Sequence, residues 1–259
     1  MYHHATPPSK TATDRGDRPT GVAQRSTRLA TSLESFGSRA TRLAVLAVLL
    51  GGGAWTAALA VDAAAEGSVT GRARANFGRE EASPIVRQTA HWVVGSRNNA
   101  GLPFAIVDKV NAKVFVFTAF GGLRGAAPAL LGSAPGDDSV PGIGNKKLAD
   151  IEPGERTTPA GRFVAEMGRN MRGQEILWVD YGAAVSLHRV ITSNPKERRV
   201  QRLATPTPLD NRITYGCINV PEAFYLNVVH PVFSGTTGIV YVLPETRTAQ
   251  EVFHSYIAD

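Results

Sequence analysis

Two short apolar runs, Phe104-Ala105-Ile106-Val107 and Val114-Phe115-Val116-Phe117, flank a break at Val110-Asn111. Runs of this length, rich in β-branched and aromatic residues, predict the two strands of a hairpin. The same texture returns in GRFVAEM from Gly161, EILWVDY from Glu175, AVSLHRV from Ala184, RITYGCINV from Arg212 and TGIVYVLP from Thr237. Strand after strand bounded by turn residues predicts a mainly β domain, a sandwich or partly closed barrel. One helix is expected over Pro221 to Val229, where proline takes a first-turn position and Glu222 follows it. A second is expected from Thr248 to Tyr256. The folded domain is placed at 101–259. Residues 62–100 show weak periodicity and read as a tether carrying a helix around Ile85 to Val94. The long segment GSAPGDDSVPGIGNKK holds Gly142 and Gly144 ahead of Lys146. It lacks the Gly-Lys-Ser/Thr helix start of a phosphate loop and reads as a structured surface loop.

One stretch departs from this texture. From Leu43 to Val61 nineteen residues run without a charge, preceded by Arg39 and Arg42 and followed by Asp62 and Glu66. At about 1.5 Å per residue it spans a bilayer core. The positive flank predicts residues 1–42 on the cytoplasmic side and the remainder outside. Residues 43–61 are therefore expected to be either a retained anchor or a signal sequence cleaved at a small-residue site, Ala58-Leu59-Ala60 or Ala63-Ala64-Ala65. The formal charge is +6, but Lys10 and six arginines lie within residues 1–42 against only Asp14, Asp17 and Glu34. The folded part is nearly balanced, and the short basic run from Lys196 to Arg202 is a solvated loop rather than a nucleic-acid stripe.

Export changes what Cys217 means. It is the only cysteine in the chain, so outside the cytoplasm it is a buried bystander, an intermolecular bridge or a reactive thiol. It lies just ahead of the expected helix, whose positive end would favour thiolate. Backbone N–H groups of Tyr215, Gly216 and Cys217 are candidates for holding an oxyanion, and Gly216 lets the backbone approach closely. A thiolate needs a proton carrier. His3 and His4 fall on the cytoplasmic side, His91 in the tether, and His230 precedes Pro231 at a helix end. Of the remaining pair, His188 rather than His254 lies on a strand able to pair beside the cysteine strand. No histidine has metal-ligand spacing to another or to an acidic pair, so no metal is expected.

Here the chain resembles a family. Thr158-Pro159-Ala160-Gly161-Arg162-Phe163, Ser186-Leu187-His188-Arg189 and Thr214-Tyr215-Gly216-Cys217-Ile218-Asn219 stand in order. Together they are similar to the landmarks of the L,D-transpeptidase (YkuD-like) catalytic domain. That resemblance implies a YkuD-like β-sandwich or partly closed barrel with one or two helices. It implies Cys217 as nucleophile, His188 as general base, and an oxyanion hole at Tyr215, Gly216 and Cys217. Arg189, Thr214, Tyr215 and Asn219 would contact substrate. The implied reaction attacks the tetrapeptide stem of peptidoglycan, expels D-alanine and passes the acyl group to an amine, in crosslinking or lipoprotein attachment. No cofactor is required.

Two departures stand out. Tyr215 replaces the family's usual histidine, and 25 residues separate His188 from Thr214, a longer interval than is usual. The excess, with Asn194 to Arg199, is expected to form a flap whose arginines face the stem peptides or solvent. Two other functions fit the same residues: an L,D-carboxypeptidase or amidase in which water replaces the amine, and a catalytically silent peptidoglycan-binding module. The expected location is the cell envelope, with the domain on the periplasmic side, anchored or secreted.

Overall fold

A computed structural model of the chain describes residues 73–255. The apolar segment 43–61 and the basic segment before it lie outside the described residues. Among the described residues no helix is long and apolar enough to cross a membrane.

Eight strands form one sheet in the order β3-β2-β1-β10-β5-β6-β7-β9. They are β1 (Phe104–Asp108), β2 (Lys113–Phe117), β3 (Leu123–Pro128), β5 (Gly161–Arg169), β6 (Glu175–Asp180), β7 (Val185–Arg189), β9 (Ile218–Val220) and β10 (Gly238–Val242). Two short strands, β4 (Leu131–Gly132) and β8 (Arg212–Thr214), pair in parallel beside it. Neighbours in the large sheet are antiparallel except β1 with β10 and β7 with β9. The sheet curls until its ends nearly meet. Leu130, just beyond β3, exchanges both backbone hydrogen bonds with Asn219 of β9, at 2.8 and 2.9 Å. The architecture is thus mainly β, a nearly closed barrel.

Period-2 alternation sorts the side chains of the central strands into two cores. Ala105, Val107, Val114, Val116, Val240 and Val242 point inside with Leu177, Leu187, Ile218 and Val220. Phe104, Ile106, Phe115, Phe117, Ile239 and Tyr241 point outside, yet are also buried. What covers them is α1 (Pro84–Ser96). Ser83 caps it by accepting from the Val86 N–H, and Val86, Ala90 and Val93, one stripe at helical spacing, are fully buried. Residues 84–96 therefore belong to the folded body, and the tether expected over 62–100 does not extend through them. The reason lies in β1, β2 and β10, which are apolar on both faces and demand a cover.

The expected helix after Pro221 is present and longer. It runs as α3 (Glu222–Phe224), a π segment (Tyr225–Val229) and α4 (His230–Phe233). Pro231 brings no N–H into this run, which favours wider spacing just ahead of it. Phe224, Tyr225, Val229 and Phe233 join the inner core. The terminal helix is only α5 (Ala249–Val252), closed by a capping box between Thr248 and Glu251. The interval after β7 also contains a helix, α2 (Arg199–Ala204).

Candidate active site

Ala184, just before β7, and Ser186 and His188 within it alternate with Val185 and Leu187. The first three line a cleft of about 180 Å³, while the other two enter the inner core. Strand β9 lies parallel beside β7, with Leu187 opposite Ile218 and His188 opposite Asn219. This register brings Cys217, one residue before β9, to the same cleft. Lys146, Trp178, Tyr181 and Arg199 form other parts of its wall.

The cysteine loop is built by hydrogen bonds from three directions. RITYGCINV is two strands rather than one, because Tyr215 to Cys217 make a turn between β8 and β9. Thr214 pins that turn. Its hydroxyl donates to Cys217 O at 2.6 Å and accepts from the Gly216 N–H at 3.1 Å. Thr158 supports it from below, donating to Gly216 O at 2.8 Å while accepting from the Gly132 N–H at 2.9 Å. Gly216 has φ +124°, and a Cβ there would lie 2.8 Å from Thr157 O. Only glycine combines that backbone conformation with that approach.

Thr158 is itself held by an ionic node. The buried Lys109 ammonium donates to Thr158 O at 3.0 Å, Gly136 O at 2.6 Å and Asp137 Oδ1 at 2.7 Å. The Asp137 carboxylate also accepts from the backbone N–H groups of Glu245, Thr246 and Arg247 and from the Thr246 hydroxyl. Burial alone would raise its pKa, but the Lys109 ammonium and these donors hold the carboxyl well below the usual range.

Cys217 Sγ is half-buried, 3.6 Å from Ser186 Oγ and 3.7 Å from Ala184 O. Burial pushes the thiol up. The adjacent His188 imidazole, by hydrogen bonding and charge, and the backbone and hydroxyl of Ser186 outweigh it, so the thiol sits below its ordinary value. The helix contributes differently from the expectation. Strand β9 and Pro221 separate Cys217 from α3, roughly 10 Å of extended chain, so the positive helix end is not at the sulfur.

His188 is buried, and both ring nitrogens are engaged. Nδ1 lies 2.7 Å from Arg189 O, which can only accept, so Nδ1 carries the proton. Nε2 lies 3.2 Å from Asn219 Nδ2. Asn219 Oδ1 in turn accepts from Arg199 Nη1 at 2.9 Å.

The geometry redistributes several expected roles. Of the three candidate oxyanion donors, the Gly216 N–H is committed to Thr214 Oγ1. The N–H groups of Tyr215 and Cys217 have no partner in the loop and are the ones left for an oxyanion. Thr214 and Asn219 were expected to touch substrate. Both border the cleft but are at most 3% exposed, and their polar atoms are occupied by the loop and by His188 and Arg199. Arg189 turns away from the cleft toward Glu222, at 3.6 Å, and contributes its backbone carbonyl to His188 instead. Tyr215 does reach the cleft, 38% exposed, with its ring stacked 4.2 Å from the Arg156 guanidinium. Ser186, not among the expected site residues, also faces the thiol, and its parity with His188 on an alternating strand is the signal for it in the sequence. In the flap, Arg199 lines the cleft and bonds to Asn219 rather than projecting into solvent.

No family model matches the sequence, and no curated protein matches it. Solved structures do. The catalytic domain of an L,D-transpeptidase from E. faecium is similar over 54% of this chain and 96% of that domain, at 17% identity and TM-score 0.31. The helical cell shape determining protein Pgp2 from Campylobacter jejuni is similar over 57% of this chain and 49% of its own, at 14% identity and TM-score 0.39. The LD-transpeptidase LdtMt1, in complex with imipenem, is similar over 54% of this chain and 58% of its own, at 16% identity and TM-score 0.30. The matched region thus spans about half the length of Pgp2 and somewhat more than half of LdtMt1.

Proposed function

We propose that this chain is a cysteine acyltransferase of the L,D-transpeptidase type, acting on peptidoglycan stem peptides in the cell envelope. The observation that carries the reading is Cys217. It is a lone thiol in an open cleft, depressed in pKa by His188 and Ser186 and flanked by two uncommitted backbone N–H groups. An activated nucleophile, a proton carrier and preorganised donors are what acyl transfer needs.

In the first half-reaction the Cys217 thiol gives its proton to His188 Nε2, and Sγ forms a bond to the stem carbonyl carbon. The N–H groups of Tyr215 and Cys217 hold the oxyanion. As the C–N bond breaks, the departing D-alanine amine takes the proton from His188, leaving a thioester. In the second, an acceptor amine attacks the thioester carbonyl and gives its proton to His188. The new C–N bond replaces C–S, and the thiol is recovered. Residues 43–61, as a retained anchor or a cleaved signal, would deliver the domain to the periplasmic side.

The test incubates the full-length protein with meropenem and, separately, with tetrapeptide muropeptides, followed by intact mass and chromatography of the products. The expected result is a covalent adduct on Cys217 together with D-alanine release and crosslinked muropeptides, all lost in Cys217→Ala and strongly reduced in His188→Ala. Trimmed muropeptides without crosslinks would assign water as the acceptor. Folded protein that forms no adduct and turns nothing over would leave a binding module.

A further inference from the structure

The interval after β7 does more than lengthen the rim of the cleft. Its Arg199 is brought inward by α2 and braced on both sides. Glu197 Oε2 accepts from Arg199 Nε at 2.5 Å, and Arg202 Nε donates to Glu197 O at 2.8 Å. Arg202 also donates through Nη1 to Asp210 O at 2.5 Å, which ties the far end of the segment down. The Arg199 side chain is 13% exposed. So placed, it donates through Nη1 to Asn219 Oδ1.

A guanidinium has donors and no acceptor, so it bonds the oxygen end of an asparagine amide and not the nitrogen end. Asn219 therefore has one orientation, with NH₂ toward His188 Nε2. A neutral imidazole carries one proton; with NH₂ facing Nε2, that nitrogen must be the acceptor and Nδ1 must hold the hydrogen. Arg189 O, at 2.7 Å from Nδ1, agrees from the other side of the ring. If the amide turned over, Oδ1 would face Nε2 and favour a proton there, which removes the lone pair the thiol needs.

We propose that Arg199 is a positioning residue: by fixing the Asn219 amide it locks His188 as the tautomer whose Nε2 carries a lone pair and no proton, a lone pair that the Asn219 NH₂ occupies until the Cys217 thiol displaces it to transfer its proton. The segment Asn194 to Arg199 thus serves the base rather than the stem peptide. The inference rests on the assignment of His188 and Cys217 as a proton-transfer pair. Its test nevertheless needs no peptidoglycan, so the two can fail separately.

The test uses the full-length protein labelled with ¹⁵N in histidine and reads the His188 ring resonances, beside the rate of Cys217 alkylation by iodoacetamide at neutral pH. Wild type should show one tautomer with an unprotonated Nε2. Arg199→Ala should show exchange between tautomers and alkylation slower by about ten-fold or more, since an imidazole in the wrong tautomer forfeits general-base action. Arg199→Gln restores an N–H donor without charge, and Arg199→Lys restores the charge on a compact three-donor ammonium that lacks the planar fork. Glutamine should recover the single tautomer and most of the rate. Because it keeps much of the side chain's bulk, it also decides the matter if alanine fails to fold. Recovery by lysine alone would overturn the proposal in favour of simple electrostatic support of the thiolate. An unchanged His188 spectrum in the folded alanine variant would overturn it outright.

Discussion

The outer core under α1 and the polar scaffold under Cys217 are both fully buried, but they are organised on opposite principles. Under α1, Trp92, Phe104, Phe117, Tyr241 and Phe253 meet ring to ring, with Phe104 and Phe117 stacked at 4.7 Å. Such contacts are individually weak and only loosely directional compared with hydrogen bonds, and the rings share their neighbours. Around the cleft, Asp137, Lys109 and Thr158 form a chain of hydrogen bonds that ends on Gly216, which Thr214 also holds, while Asn219 separately joins Arg199 to His188. The first region stabilises the domain without specifying atom positions. The second specifies positions, and a missing partner is costly because it leaves another group unpaired.

The comparison is broken most sharply by deleting one element from each side. Asp137→Asn would set an amide N–H₂ among donors and leave the buried Lys109 only the longer ion pair to Glu245 Oε1, at 3.6 Å, at a cost of about 3 kcal/mol. Trp92→Ala would cost a similar amount, about 3–5 kcal/mol, by leaving a cavity between α1 and β10. Denaturant unfolding should show comparable losses. Cys217 alkylation in the folded protein should slow only in the first variant, because only that change is transmitted through Thr158 to the cysteine loop.

Acid offers the same contrast without mutation. Asp137 titrates below its unfolded value, so its stabilisation is complete above the ordinary aspartate pKa of about 3.9 and is lost progressively as pH falls below it. Unfolding free energies measured downward from pH 5 should fall more steeply for wild type than for Asp137→Asn.

A finer cut is Thr158→Val, which keeps the shape but leaves the Gly132 N–H and Gly216 O without partners, a cost of about 2 kcal/mol. Its melting temperature should fall and Cys217 alkylation should slow together. The smallest effect belongs to Ser186→Ala. Stability should change by less than about 0.5 kcal/mol, and the midpoint of the alkylation–pH profile should move up slightly, because the Ser186 hydroxyl is the last of the influences that lower the thiol.

The same division explains what the sequence discloses. Strands β1, β2, β5, β6, β7 and β10 are written as apolar or alternating runs, because burial on one or both faces demands them. Strand β3, LRGAAP, and the two-residue β4 carry no such pattern; pairing partners hold them in place. The helix within 84–96 is legible from its periodicity, but its docking is not, since a stripe such as Val86, Ala90, Val93 does not name the surface it covers. At the site, the lone cysteine and the motifs Ser186 to Arg189 and Thr214 to Asn219 mark Cys217 and His188 as candidates, although the interval between them is unusual. The inward turn of Arg199 and the outward turn of Arg189 depend on tertiary partners, Asn219 and Glu222, that no local pattern links to them.

The parallel pairing of β1 with β10 has a consequence in time. Phe104 lies beside Ile239, and β10 also carries β5 on its other edge. Until β10 is made, nothing joins β1 to β5, and the pieces β3-β2-β1 and β5-β6-β7-β9 can meet only at their other end, through Leu130 and Asn219. Joining distant segments of chain imposes the loop-closure cost before the contacts repay it, which slows folding. A growing chain that has reached the cysteine loop already holds every residue of the thiol–imidazole pair, yet cannot close the body around them. The closed body around Cys217 is thereby completed only with the last strand of the sheet.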